Sequence, residues 1–234
     1  MKKNRTDLIF LIDRSGSMSN ISSDMIGGYN EFIKKQKELP NECFVSFYQF
    51  DDKYETVFER VNLKNVMDLT NKTYSPRGNT ALYDAIGKTI NSYGKYLSDL
   101  EENKRPERIL FVVMTDGMNN SSSEFTDVKV KEMVKHQTDI YKWDFVFLCS
   151  NIDAWESGNS LGISNKTTLQ FANSPDSVKH AFMSLSANAL SYRSVDVHNS
   201  YTFSSSDVDS QTQFLDNNLK SKNKKQTNKK TTTT

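Results

Sequence analysis

The sequence predicts an α/β fold in which a mainly parallel sheet is covered by helices on both faces. Apolar runs of strand length recur along the 234 residues, and stretches in which apolar residues have helical spacing separate them. Strands that alternate with helices are joined by crossover connections, which place the strands parallel. Hydrophobic residues make up 36% and charged residues 25% of the chain, which is typical of one sizeable globular domain.

The predicted elements follow from apolar spacing and from the turn residues between them. The strands are residues 8–12, 43–50, 54–61, 109–115, 143–150 and 166–172. The helices are residues 22–39, 80–97, 125–138, 153–161 and 175–192. Residues 62–76 carry no pattern beyond one short turn. The link between 43–50 and 54–61 is short, so we expect a hairpin and therefore an antiparallel strand at 54–61.

Turn and cap residues set the expected helix boundaries. Ser22 or Ser23 is the expected cap of the first helix, because short hydroxyl side chains satisfy free amide groups there. The second helix should begin near Thr80. Gly162 should end the short helix, and Pro175 should lie in the first turn of the last one.

Oxygen-bearing side chains follow the first buried strand in the order D-x-S-x-S. Asp13 ends the strand, Ser15 and Ser17 follow at alternate positions, and Gly16 lets the loop curl. Three hard oxygens that converge in this way suit Mg²⁺, Mn²⁺ or Ca²⁺ better than Zn²⁺, which prefers nitrogen and sulfur. The loop therefore predicts a site for a divalent cation.

The D-x-S-x-S loop resembles the metal-ion-dependent adhesion site of the von Willebrand factor type A family. That family also takes a Thr from a second loop and an Asp from the end of another strand, and GNTALYDAI and ILFVVMTDGMNN supply Thr80 and Asp116 in that order. The resemblance spans about residues 7–192. It implies a three-layer, Rossmann-like fold with a six-stranded sheet in the order 3-2-1-4-5-6 and one antiparallel edge strand.

The resemblance also implies a function. The metal ligands would be Asp13, Ser15, Ser17, Thr80 and Asp116. The metal would be Mg²⁺, or Mn²⁺ or Ca²⁺, with waters completing its shell and with one position open to an Asp or Glu of a protein partner. The domain would bind and not catalyse. By analogy with the family alone, an ATPase or a stress-response component is a possible partner.

An enzyme is the competing interpretation, because aspartates at strand ends also hold Mg²⁺ in phosphohydrolases and phosphotransferases. No P-loop or other phosphate-binding glycine motif is present. Arg14 and Arg77 lie in or beside the metal loops and could reach a bound anion, although a solvated loop charge is the simpler expectation. A third interpretation takes the whole set as capped turns without metal.

Other polar residues at the expected sheet edge are candidates for shaping the choice of partner. They are Asp51, Asn119, Asn120, Ser150, Asn151 and Asp153. The remaining metal and catalytic signals are weak. Cys43 and Cys149 should be free thiols, since two other strands would separate them, and the three histidines are scattered. No Ser-His-Asp or zinc constellation is evident.

The ends of the chain carry their own predictions. The start lacks a secretory pattern and no apolar run reaches membrane-spanning length, so we expect a cytoplasmic protein. Residues 1–194 should form the domain and 195–234 a largely disordered, basic tail. Six lysines and no acid follow Asp216, so the last eighteen residues in particular should lack structure. The tail could contact nucleic acid or an acidic partner, but a solubilising role is the simpler interpretation.

Overall fold

A six-stranded sheet in the order β3-β2-β1-β4-β5-β6 forms the centre of the protein, in a computed structural model that describes residues 1–150, 154–194 and 200–231. The strands are β1 Lys2–Asp13, β2 Cys43–Phe50, β3 Tyr54–Asn62, β4 Pro106–Thr115, β5 Asp144–Cys149 and β6 Thr168–Gln170. Only β3 is antiparallel to its neighbour, while the other pairings are parallel. The expected fold class and strand order are confirmed.

Helices cover both faces of this sheet. They are α1 Ser22–Gln36, α2 Leu82–Asp99, α3 Asp127–Tyr141, α4 Ala154–Ser160, α5 Pro175–Ser194 and α6 Ser205–Thr231. Because alternate side chains of a strand point to opposite faces, β1 contributes to two cores. Leu8 and Phe10 pack in the core that includes residues of α1 and α5, whereas Ile9 and Leu11 pack in the core that includes residues of α2 and α3.

Several element boundaries differ from the sequence-based expectations. A 3-10 turn, Gly16–Ile21, runs directly into α1, so Ile21 occupies the cap position without a side-chain bond and neither Ser22 nor Ser23 caps the helix. The α2 helix begins at Leu82, two residues after Thr80. Central strands β1 and β4 start earlier than their apolar runs, because pairing with neighbours continues through polar residues.

The segment after α5 was expected to be a disordered tail, and its described part differs from that expectation. Tyr201 is 1% exposed and stacks edge-on against Phe203, and both lie in the α1–α5 core. Gln211 on α6 is buried, where it donates to the carbonyl of Ser177 and accepts from its hydroxyl. Isolated apolar and amide side chains thus anchor a polar segment. The lysine-rich end continues α6 through Thr231.

The two cysteines behave as predicted. Cys43 on β2 and Cys149 on β5 are buried and form no disulfide, with β1 and β4 between their strands. Among the described residues, no helix has the length and apolar character needed to cross a membrane.

Candidate metal centre

The candidate site lies at the carboxyl ends of β1 and β4, which are adjacent parallel strands. Asp13 is the last residue of β1, and Asp116 directly follows the last residue of β4. Chain order reverses here, because β1 is followed along the chain by β2 on one side but borders β4 on the other. In open α/β sheets, the crevice at such a reversal is where ligands bind.

Short hydrogen bonds join the residues of the first and third loops. The Ser17 hydroxyl donates to Asp116 Oδ1 at 2.6 Å and lies 3.0 Å from the Ser15 hydroxyl. The backbone amide of Ser15 donates to Asp13 Oδ1 at 2.6 Å. Two aspartates and two serines therefore form one connected set of oxygens.

Thr80 completes the set from the second loop. It is buried, and a Cβ placed on Gly117 would lie 3.7 Å from the Thr80 hydroxyl and 4.0 Å from that of Ser17. Asn120 fixes Thr80 by accepting from its amide at 2.8 Å and donating a backbone bond to its carbonyl. The structure thus brings together all five residues that the sequence singled out.

Two residues that the sequence analysis missed hold Asp13 in place. The Thr115 hydroxyl, on the neighbouring strand, donates to Asp13 Oδ2 at 2.6 Å. The Tyr74 hydroxyl donates to the Asp13 carbonyl at 2.6 Å. The signal in the sequence that could have identified Thr115 is its position directly before Asp116. The contact of Thr115 with Asp13 on the neighbouring strand, however, depends on the register between β1 and β4.

Asp84 was also missed and supports the third loop from α2. Its carboxylate accepts from the backbone amides of Ser123, Glu124 and Phe125 at 2.8–2.9 Å. These bonds tie the loop that follows Asp116 to the helix that follows Thr80. Asp84 therefore fixes two of the three site loops relative to each other.

The site carries the negative charge of two aspartates. Burial raises the pKa of Asp13 to about 6, against hydrogen bonds from Thr115 and Ser15 that lower it, and the nearby Asp116 raises it further. Burial also raises the pKa of Asp116. Neither aspartate has an ion pair with any residue that the structure describes. A buried and a half-buried carboxylate without paired cations favour a bound cation.

Both arginines near the site are paired with acids. Arg14 is buried, and its guanidinium lies 3.1 Å from Asp51 and 2.8 Å from Glu55. Arg77 lies 2.7 Å from the same Asp51 carboxylate oxygen. The expectation that Arg14 is a solvated loop charge is therefore wrong, because the buried Asp51 between the loops attracts it.

The other polar residues predicted at this edge hold loops together. Asn120 fixes Thr80, and the Ser150 hydroxyl donates to the Asp116 carbonyl at 3.1 Å. Asn119 accepts from the Ser122 hydroxyl. Asn151 and Asp153 lie outside the described residues.

The available donors fit a hard divalent cation. Two carboxylates and three hydroxyls converge, all of them oxygen. Within the described ranges, no group of three or more His, Cys, Asp and Glu side chains is placed to hold a metal. A metal here would thus depend on hydroxyl ligands as well as on the two acids.

Residues 7–190 match the von Willebrand factor type A domain, and the chain belongs to that family. Domains of this family often bind a divalent metal at a metal-ion-dependent adhesion site and mediate protein interactions. No curated protein matches the sequence of this chain.

Solved structures share the fold at low sequence identity. Proximal thread matrix protein 1 from the mussel byssus, with a zinc-occupied MIDAS motif, aligns at a TM-score of 0.55 and 14% identity over 79% of this chain and 46% of that one. The ArnB paralog VWA2 from Sulfolobus acidocaldarius gives 0.52 and 15% over 78% and 44%. The pilus adhesin SpaC from Lactobacillus rhamnosus GG gives 0.58 and 15% over 80% and 30%. The chain thus spans less than half of each of these proteins.

Proposed function

We propose that this domain binds a divalent cation, Mg²⁺ by donor chemistry, and through it an acidic residue of a protein partner. The ligands would be Asp13, Ser15, Ser17, Thr80 and Asp116. One observation carries the proposal: the buried Asp13 and the half-buried Asp116, neither of which has a cationic partner among the described residues, adjoin three hydroxyls at the reversal of strand order. We also propose a cytoplasmic location and, by analogy with the family alone, an ATPase or stress-response partner.

The ligand set explains why the cation would be a docking point. Five short side chains leave an octahedral shell incomplete, so water or a partner must supply further oxygens. The bound cation would present positive charge to a carboxylate. Other residues of the protein hold the candidate ligands in position. Thr115 and Tyr74 hold Asp13, Asn120 holds Thr80, and Asp84 holds the third loop.

Binding without catalysis is favoured over phosphoryl transfer by the state of Arg14, the arginine in the metal loop itself. A phosphohydrolase needs a cation free to clamp the transferred group. Arg14 is buried against Asp51 and Glu55, so its guanidinium is not free for this role. A turnover assay with phosphate esters and Mg²⁺ tests this part of the proposal, and metal-dependent release of phosphate that Asp13→Ala abolishes would contradict it.

Metal binding can be tested by thermal unfolding in Mg²⁺, Mn²⁺, Ca²⁺, Zn²⁺ or chelator. The assembled loops should bind the metal only in the folded state, so Mg²⁺ should raise Tm. Asp13→Ala should remove this rise. Asp127→Ala is the matched control, since Asp127 is an exposed acid at the start of α3 and should leave the rise intact. An unchanged Tm of the unsubstituted protein at millimolar metal would contradict the proposal.

Partner binding can be tested by affinity capture with Mg²⁺ or with chelator. Substitution of the partner's contacting Asp or Glu by Asn or Gln should weaken binding by more than about tenfold, or ~1.4 kcal/mol. Equal affinity in Mg²⁺ and chelator would place the contact elsewhere on the domain.

A further inference from the structure

Arg77 lies beside the loop that carries Ser15 and Ser17, and its side chain is 58% exposed. Its backbone amide donates to the carbonyl of Arg14 at 2.7 Å, and the next carbonyl, that of Gly78, accepts from Gly16 at 3.1 Å. The two loops therefore run side by side. An exposed guanidinium thus borders the candidate metal centre.

A buried carboxylate fixes the orientation of this guanidinium. Asp51 is 1% exposed, and its Oδ2 accepts from Arg77 Nε at 2.7 Å while its Oδ1 accepts from the amide of Lys53 at 2.6 Å. A guanidinium has donors at both Nη atoms besides Nε. Among the described residues, no acceptor is assigned to the Nη atoms of Arg77, so these donors remain available at the surface.

An exposed apolar side chain lies in the loop that carries Asp116. Met118 follows Gly117 in the loop after β4 and is 70% exposed. Methionine is common on protein-binding surfaces because its flexible side chain fits varied partners. An oriented guanidinium beside the first loop and an exposed apolar side chain in the loop after β4 favour a protein segment over a small anion as the occupant.

We infer that Arg77 is a second anchor for the acidic partner and that the partner presents two carboxylates, one to the metal and one to the Arg77 Nη donors. The inference rests on the proposed function and adds the partner's chemistry to it. Guanidinium and carboxylate match in geometry and pair through parallel hydrogen bonds. Asp51 removes part of the ordering cost, because it holds the guanidinium before the partner arrives.

The size of the effect should be modest. Arg14 and Arg77 together face Asp51 and Glu55, so this group of side chains is balanced in charge. The attraction then comes from short-range hydrogen bonds at an exposed position. Such pairs change affinity by about two- to fivefold.

The experiment compares carboxylates of different valence on the Mg²⁺-loaded protein. Acetate is the single carboxylate, and malonate, succinate, glutarate and adipate present two at increasing separation. Affinities are measured by NMR titration for the unsubstituted protein, Arg77→Gln and Lys53→Gln. Lys53 is an exposed cation on the adjacent hairpin, so Lys53→Gln removes the same charge without removing the guanidinium.

At least one dicarboxylate should exceed acetate by more than the statistical factor of about two that its second end contributes. Arg77→Gln should reduce that affinity ratio by about two- to fivefold, while Lys53→Gln leaves it unchanged. A ratio that stays the same in Arg77→Gln, or that falls equally in both variants, would overturn the inference but not metal-dependent docking. Carboxylate binding that is equal in Mg²⁺ and in chelator would instead overturn the proposed function and this inference with it.

Discussion

Asp7 and Asp13 lie on the same strand, both are fully buried, and burial raises the pKa of each to about 6. They differ in what surrounds them. Asp7 pairs with Arg60 and accepts from the Tyr93 hydroxyl at 2.6 Å. Among the described residues, the Asp13 carboxylate accepts only from neutral groups, and a second acid, Asp116, is nearby.

The protein supplies the counter-charge for one of these carboxylates and leaves the other without one. The Arg60 guanidinium lies between the rings of Phe44 and Tyr96, 4.9 and 4.8 Å from their centroids, which fixes it over Asp7. Asp7 is therefore part of the core's own structure. Asp13, at the strand end where loops converge, has the surroundings of a carboxylate that serves an external cation.

The largest expected effect is on stability at Asp7. Asp7→Ala would leave the Arg60 guanidinium and the Tyr93 hydroxyl without their acceptor, so the free energy of unfolding should fall by about 3–5 kcal/mol. Asp13→Ala should cost less in chelator, because the Thr115 hydroxyl keeps the Gly117 carbonyl as an acceptor at 3.1 Å. Urea unfolding of both variants in chelator makes the comparison. Equal losses would show that the two carboxylates are held in the same way.

The stability that Mg²⁺ adds should depend on Asp13 and not on Asp7. At a concentration about 100 times Kd, a bound ion adds about 2.7 kcal/mol to stability. Asp7→Asn should retain this gain and Asp13→Asn should lose it, as judged from unfolding with and without Mg²⁺. Removal of the Asp116 charge in Asp116→Ala leaves a retained ion more electrophilic and so favours a carboxylate ligand. Loss of the Mg²⁺ gain in Asp7→Asn would contradict separate roles.

Stability should also depend on pH through Asp7. An unfolded aspartate titrates near pH 4, whereas burial raises the pKa of native Asp7 to about 6. Between these values the native state binds more protons, so stability falls as pH rises, by on the order of 2 kcal/mol. Asp7→Asn should reduce this slope between pH 4 and 6 and leave the part that comes from Asp13, whose pKa burial also raises to about 6. An unchanged slope in that variant would assign the titration to another group.

The smallest effect is expected from the lysine-rich end of α6. If these lysines paired with the site, Asp13 would have a counter-charge within the protein, as Asp7 has, and the two carboxylates would no longer differ in this respect. Truncation after Asp216 should change stability by less than about 0.5 kcal/mol and leave the Mg²⁺ gain unchanged. Tyr201→Ala is the contrasting variant and should cost about 3 kcal/mol, because Tyr201 fills the core. A changed Mg²⁺ gain after truncation would assign the tail a part in the site.

The central strands could be predicted because buried strands appear in the sequence as continuous apolar runs. β2, β4 and β5 and the apolar part of β1 are of this kind, and the hairpin to β3 followed from its short link. The strand order came from the family resemblance. So did the joint placement of Thr80 and Asp116 with the first loop, since nothing local connects residues so far apart in the chain.

Features that depend on a specific tertiary neighbour were not predicted. Thr115 and Tyr74 contact Asp13 only because of strand register and loop path, and Arg14 is buried only because Asp51 lies beneath it. Tyr201 lies in a polar segment without apolar periodicity, so its burial against the rest of the domain could not be predicted from the local sequence. Sequence reasoning therefore located the candidate ligands but not the residues that hold them.

An anomalous difference map from crystals soaked in Mn²⁺ tests the central contrast most directly. The account predicts a peak among the oxygens of Asp13, Ser15, Ser17, Thr80 and Asp116, and none beside Asp7, where Arg60 supplies the charge. Soaked crystals of Asp13→Ala should lose the peak. An empty map at the ends of β1 and β4 in the unsubstituted protein, with Mn²⁺ bound elsewhere or not at all, would contradict the account.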